Sequence, residues 1–334
     1  MGKYYSTDSL SMKSILPILL IFTLCMAGCR DESEDIQPEA PETPVDPPSE
    51  NPGPNPDPNN PGDSTVVTPP PPPQPRKNYK LDSLKEEGYY SHKQVLKTFG
   101  STIAGYYEAL PASYATSEVK YPVLFYFVGA GERGDGSSEQ LKRVVTVYGP
   151  ANIVETGHFP KDFLVEGRYV SYIILSVQTT QGQWTDVDDM NAFIKFAMEH
   201  YRIDTTRMYM TGLSMGAGRV WEYVSTSPEY ARQIAAITPM SPSTNPTERR
   251  AKIIADANIH VWAFHCDDDN LVPSSNSKNY VQWVNQYNPG LAKITLYPGK
   301  THDSWSRGYN PARREDNMNV YQWMLQYKRE AQNP

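Results

Sequence analysis

The stretch Arg207-Met-Tyr-Met-Thr-Gly-Leu-Ser-Met-Gly216 constrains this chain more than any other, because apolar residues run straight into Gly212-x-Ser214-x-Gly216 and helix-forming residues follow from about Ala217. That order is strand, tight turn, helix. A serine on such a turn has its hydroxyl lifted clear of its neighbours, and both glycines are needed because a Cβ would collide with the cramped backbone. The following helix points its positive end at the same spot. By average composition Gly-x-Ser-x-Gly arises by chance in roughly one chain of this length in ten, so the flanking strand and helix carry the signal.

Composition divides the 334 residues into three parts. Lys13 precedes the apolar run Ile15 to Ala27, which is too short to span a bilayer and reads as a secretion signal over residues 1–28. The run ends in Met26-Ala27-Gly28-Cys29, which resembles a bacterial lipobox, with Met where Leu is usual. That resemblance implies cleavage before Cys29 and its lipidation, and several acyl chains would anchor the mature chain firmly. Arg30-Asp-Glu-Ser-Glu-Asp35 resembles the acidic tag with which some Gram-negative bacteria send lipoproteins to the cell exterior, so an outer-membrane, surface-exposed lipoprotein is expected.

Residues 29–78 form the second part. Of the 30 prolines, 16 lie between Pro38 and Pro75, and Asp31 to Pro75 holds ten acidic residues and no Lys or Arg. Such a segment cannot bury a core and is expected to be a disordered spacer, about 150 Å long if wholly polyproline-like. The net charge of -7 comes from this segment, and Arg76 to Pro334 carries +1. A nearly neutral folded part offers neither the basic patch of a nucleic-acid binder nor a strong steering field. With Cys25 in the leader and Cys29 lipidated, Cys266 is the last cysteine of the mature chain, so neither a disulfide framework nor a zinc site is expected.

Residues 79–334 suit one large domain in which strand-like runs alternate with amphipathic helices, the pattern of a mostly parallel α/β sheet. Strands are expected near Lys97 to Thr102, Ala104 to Leu110, Pro122 to Val128, Val170 to Val177, Arg207 to Gly212, Ile234 to Pro239, Val261 to Cys266 and Ile294 to Tyr297. Helices are expected near Glu139 to Val147, Val187 to Tyr201, Gly216 to Thr226, Glu248 to Ala257, Asn276 to Tyr287 and Arg314 to Arg329.

A serine hydroxyl needs an imidazole to take its proton and an acid to hold that imidazole in the right tautomer. His302 lies in the polar loop Gly299-Lys-Thr-His-Asp-Ser-Trp305, just after the last expected strand, and is the candidate base. His92, His158, His200 and His260 occupy positions where structural roles suffice, and His265, inside a strand, reads as a buried, hydrogen-bonded histidine. For the acid, Asp267-Asp268-Asp269 follows a strand, with Asp269 foremost and Asp268 next. A calcium loop is a poor reading of this run, because the oxygen ligands at EF-hand spacing are missing. An oxyanion would be met by the Met215 amide and by Val128-Gly-Ala-Gly-Glu-Arg-Gly134, with the amides of Ala130 and Gly129 as candidate donors. The glycines of that loop lack the Lys-Ser/Thr of a phosphate cradle and the dinucleotide spacing.

At these residues the chain resembles the secreted α/β-hydrolases of carbohydrate esterase family one, the feruloyl and acetylxylan esterases, with their polyhydroxybutyrate-depolymerase-like relatives often labelled predicted peptidases. The likeness covers about Tyr89 to Arg329. The family's His-Gly-Ala-Gly-Glu-Arg-Gly is matched from Gly129 to Gly134, with Val128 for the histidine; its Tyr-x-Thr-Gly-Leu-Ser-Met-Gly-Gly is matched from Tyr209 to Gly216, with Ala217 for the last glycine. Its His-Gly-x-x-Asp-x-x-Val-Pro places Asp269 as acid, with Cys266 where glycine is usual, and its Gly-His-Asp-Ser-Trp places His302 as base, with Thr301 for the glycine. The resemblance implies a substrate-lining role for Gln178 and Trp184, and Glu132 in the glycine loop is also expected to meet substrate. It further implies an α/β-hydrolase that needs no cofactor or metal and removes acetyl or feruloyl groups from plant polysaccharide. A serine peptidase of the same fold and a catalytically silent glycan-binding lipoprotein are the rival readings.

Overall fold

A computed structural model describes residues 83–330; the expected signal, Cys29 and linker lie outside the described residues. Strands β1 (Ser91–Val95), β2 (Ile103–Leu110) and β3 (Tyr121–Phe127) come first, followed by the short helices α1 (Ser138–Leu141), α2 (Arg143–Thr146) and α3 (Gly149–Glu155). A hairpin of β4 (Phe163–Val165) and β5 (Arg168–Val170) leads to β6 (Ile173–Thr179) and α4 (Val187–His200). Next come β7 (Ile203–Leu213), α5 (Met215–Thr226), α6 (Pro228–Ala231), β8 (Ala236–Met240) and α7 (Glu248–Asp256). The described chain closes with β9 (His260–Cys266), α8 (Ser275–Tyr287), β10 (Ala292–Tyr297), α9 (Trp305–Gly308) and α10 (Val320–Met324).

The main sheet has eight strands in the order β1-β2-β6-β3-β7-β8-β9-β10. Pairing is parallel from β6 through β10, while β2 runs antiparallel to both β1 and β6. Parallel strands are covered on both faces and read as unbroken apolar runs, and β3 shows how. Its Val123, Phe125 and Phe127 enter one core with α4, α5, α7 and α8, while Leu124, Tyr126 and the following Val128 enter the other with α2, α3 and α10. All are fully buried. Each such side chain contributes roughly 2 kcal/mol by leaving water, so the central strands are rigid supports for the loops at their carboxyl ends.

Two expected elements are corrected. Lys97 to Thr102 is a turn rather than a strand, because the amides of Ser101 and Thr102, which a ladder would use, donate to the Asp189 carboxylate at 3.1 and 2.9 Å. Asp189, in the first turn of α4, therefore serves as a clamp on this turn. The helix expected from Arg314 to Arg329 shrinks to α10. Asp316 and Asn317 take positive φ (53° and 66°), and the Asn319 side chain caps α10 by accepting from the Gln322 amide at 2.9 Å. Beyond α10 the chain is tied down by Arg329, which donates to the carbonyls of Ile234 and Ala231 at 2.8 and 3.0 Å.

Candidate active site

The carboxyl ends of β3, β7, β9 and β10 carry the residues singled out above, the edge where open α/β sheets bind ligands. Ser214, between β7 and α5, has φ 50° and ψ -114°. That conformation costs a non-glycine residue about 1–3 kcal/mol and persists only where the surroundings enforce it. Here the Ser214 amide donates to Met240 O at 2.9 Å, and its carbonyl accepts from Gly218 and Ser243 amides at 3.0 and 3.1 Å. The flanking glycines are explained by space. A Cβ on Gly212 would sit 2.6 Å from Gly216 C, and one on Gly216 would sit 2.1 Å from Phe127 O and 2.5 Å from Val128 O. Gly216→Ala is therefore expected to cost about 3 kcal/mol, since only backbone can give way. Chemical denaturation checks it, and an unchanged midpoint would contradict the crowded elbow.

The structure brings Ser214, His302 and Asp269 into one hydrogen-bonded chain. His302 Nε2 lies 2.8 Å from Ser214 Oγ, and His302 Nδ1 lies 2.7 Å from Asp269 Oδ2. The ionised carboxylate only accepts, so Nδ1 carries the ring proton and the Nε2 lone pair faces the serine hydroxyl. His302 is mostly covered, and the Trp305 ring packs edge-on to it with centroids 5.1 Å apart.

Of the three adjacent aspartates, Asp269 is the one at the imidazole. Its carboxylate is buried, with Oδ1 accepting from the Leu271 and Val272 amides, both at 2.9 Å. A second histidine, His265, places Nε2 3.2 Å from the same Oδ2. Burial works against the charge of Asp269, but the hydrogen bonds from His265, His302 and the Val272 amide outweigh it and hold the carboxyl well below the usual carboxylate range. Asp267 instead accepts from the Gly299 amide at 3.0 Å, bracing the base loop, and Asp268 is exposed beside Lys300.

Opposite the elbow, Val128 to Gly134 passes through a single 3-10 turn, Ala130–Glu132. A Cβ on Gly129 would meet Leu213 Cδ1 at 2.4 Å, so the loop and the elbow are in contact. Met215 opens α5, where a backbone N–H has no partner within the helix. The loop is locked from behind: the Gly134 amide donates to Thr179 O at 3.0 Å, and Arg133 Nε donates to Ala130 O at 3.0 Å.

Gln178, expected to line the cleft, is fully buried behind this loop. Its Nε2 donates to the carbonyls of Glu132 and Gln140 at 3.1 and 2.7 Å, and its Oε1 accepts from the Gly136 amide at 3.2 Å. As placed, it shapes the loop. Trp184 is 46% exposed, its ring beneath the Arg219 guanidinium at 4.9 Å. Sequence reasoning missed the Ser241–Ser304 hydroxyl pair at 2.8 Å, both buried, which ties the loop after β8 to the one carrying His302. No sequence signal marks two serines so far apart.

Glu132, also expected to meet substrate, is only 4% exposed. Burial pushes its carboxyl up to about 7, against hydrogen bonds from the backbone at residues 132 and 129. A raised carboxyl is a proton held more tightly by the fold, so its stabilising effect is full below the ordinary carboxylate range and is lost as pH rises through about 7. Glu132→Gln should therefore gain about 2 kcal/mol on the parent between pH 5 and pH 8. Melting curves across that range test it, and parallel curves would contradict the buried acid.

A strained serine at the strand-to-helix elbow, under a mostly parallel sheet with helices on both faces, defines an α/β-hydrolase fold. The chain belongs to the phospholipase/carboxylesterase family, which matches residues 120–314. No curated protein matches it. Among solved structures, a thermostable esterase shares 23% identity over 72% of this chain with a TM-score of 0.52, and the match spans 63% of that esterase's length. A ferulic acid esterase from Anaeromyces mucronatus, in complex with ferulic acid, shares 17% identity over 68% of this chain and 90% of its own, with a TM-score of 0.45. A feruloyl esterase module from Clostridium thermocellum shares 16% over 71% and 88%, with a TM-score of 0.43. The thermostable esterase shares the fold, and the carbohydrate esterase group named above is narrower than the family assignment.

Proposed function

We propose that the protein is a serine carboxylic-ester hydrolase that removes acetyl or hydroxycinnamoyl groups from plant polysaccharide. The observation that carries this reading is the chain from Ser214 Oγ through His302 to Asp269, at 2.8 and 2.7 Å. Ser214 Oγ attacks the ester carbonyl as His302 Nε2 takes its proton, and Asp269 steadies the imidazolium. The oxyanion is received by the amides of Met215 and Ala130, donors fixed before the charge develops. His302 then protonates the departing sugar hydroxyl, and water repeats the sequence on the acyl-enzyme. No step calls for a cofactor.

The exposed Trp184, tied through its loop to the Gly134 backbone, gives a flat apolar surface beside the start of α5 on which a sugar or phenolic ring can stack. A signal peptide, lipidation at Cys29 and a long acidic spacer would put the domain outside the cell, within reach of polymers. The test is release of acetate or ferulate from acetylated and feruloylated xylan or pectin fragments, beside p-nitrophenyl acetate and a peptide anilide. Ester cleavage with an inert anilide supports the reading. Faster anilide cleavage would favour a peptidase, and binding without turnover would favour a silent glycan binder.

A further inference from the structure

His265 lies one residue from the end of β9, and its side chain is completely buried. Its Nδ1 is 2.7 Å from Ser277 Oγ on α8, itself fully buried, and its Nε2 is 3.1 Å from Val272 O. A backbone carbonyl can only accept, so Nε2 carries a proton. The same Nε2 lies 3.2 Å from Asp269 Oδ2. Asp269 is thus held on one oxygen by two backbone amides and on the other by two imidazoles.

We propose that His265 is a positioning residue for the reaction, donating through Nε2 to Asp269 so that the carboxylate stays in the plane His302 needs, with Ser277 fixing the imidazole of His265 in turn. This rests on the hydrolase reading above. A histidine serving packing alone would be satisfied by Ser277 and Val272, and the contact with Asp269 is additional to both. The loop Asp267 to Pro273 has no helix or strand to stiffen it, so the buried imidazole and the loop's own amides define where its carboxylate points. In support, both His265 and His302 favour the ionised form of Asp269 against burial.

The test uses His265→Leu, His265→Gln and Ser277→Ala in the full chain with p-nitrophenyl acetate. Reactive serines are counted by organophosphonate titration, so that kcat is per intact site. The Gln amide nitrogen reaches about where Nε2 sits and can still donate. Expected are a kcat for His265→Gln within about threefold of the parent, a loss on the order of fifty-fold for His265→Leu at unchanged KM, and a loss of about fivefold for Ser277→Ala. A His265→Leu kcat equal to the parent's, or equal losses in the Leu and Gln variants, overturns the role. If His265→Leu does not fold, Ser277→Ala decides: lowered kcat at a preserved melting temperature supports it, and parental kcat overturns it. Ser214→Ala runs alongside. Full turnover there ends the hydrolase reading and this proposal with it, whereas a dead Ser214→Ala beside an unimpaired His265→Leu ends the positioning role alone.

Discussion

Ser214→Ala should lower kcat for a simple ester by a factor on the order of 10^5 while leaving the fold intact. The size follows from what is lost. Without Oγ there is no acyl-enzyme, and the residual rate comes from oriented amides and a general base acting on water alone. The fold should survive because alanine occupies the strained φ of 50° no worse than serine, and the hydroxyl's partner, His302 Nε2, can bond to water instead. A melting temperature within about 2 °C of the parent, with KM nearly unchanged, would separate loss of chemistry from loss of structure. Retained turnover would remove the serine mechanism.

Asp269→Asn should cost about 10^4 in kcat, the scale expected when the base is held in the wrong tautomer. The surroundings dictate the inversion. Oδ1 accepts from the Leu271 and Val272 amides, so the asparagine oxygen must stay there and its NH2 must take the place of Oδ2. That NH2 then faces His302 Nδ1 at the former 2.7 Å, and the ring can satisfy it only by moving its proton to Nε2. Nε2–H cannot take the Ser214 proton. Asp268→Asn, at an exposed carboxylate near Lys300, should stay within about twofold of the parent, as surface charges do little. Asp267→Asn keeps an acceptor for the Gly299 amide and should behave the same way. Steady-state kinetics on the three variants read this out, and a larger loss at Asp267 or Asp268 than at Asp269 would contradict the geometry.

The sequence revealed this site unevenly, for physical reasons. Ser214 stood out because its elbow demands glycine at 212 and 216, and such demands leave a fixed pattern. Asp269 and His302 could be placed by chain order and loop position, but three adjacent aspartates look alike until amides at Leu271 and Val272 define which one turns inward. The buried strand β3 was legible from its unbroken apolar run and the second half of β7 from the apolar residues leading into the elbow, whereas the β4–β5 hairpin, at three residues a strand, is too short to show a period. The C-terminal helix was read too long because its residues suit a helix locally, while positive φ at Asp316 and Asn317 and the cap at Asn319 interrupt it. Gln178 was expected in the cleft because its loop resembles one that lines the cleft in the carbohydrate esterases. Its buried amide is met by backbone groups of Glu132, Gly136 and Gln140, contacts that spacing along the chain cannot encode.

If His302 makes Ser214 nucleophilic, covalent labelling of the serine should depend on the imidazole. The full-length protein is treated with a fluorophosphonate, digested, and the modified peptide located by mass spectrometry. One phosphonyl group on Ser214 is expected in the parent and none within the same time in His302→Ala. Labelling at another residue, or equal labelling of Ser214 without the imidazole, would contradict it.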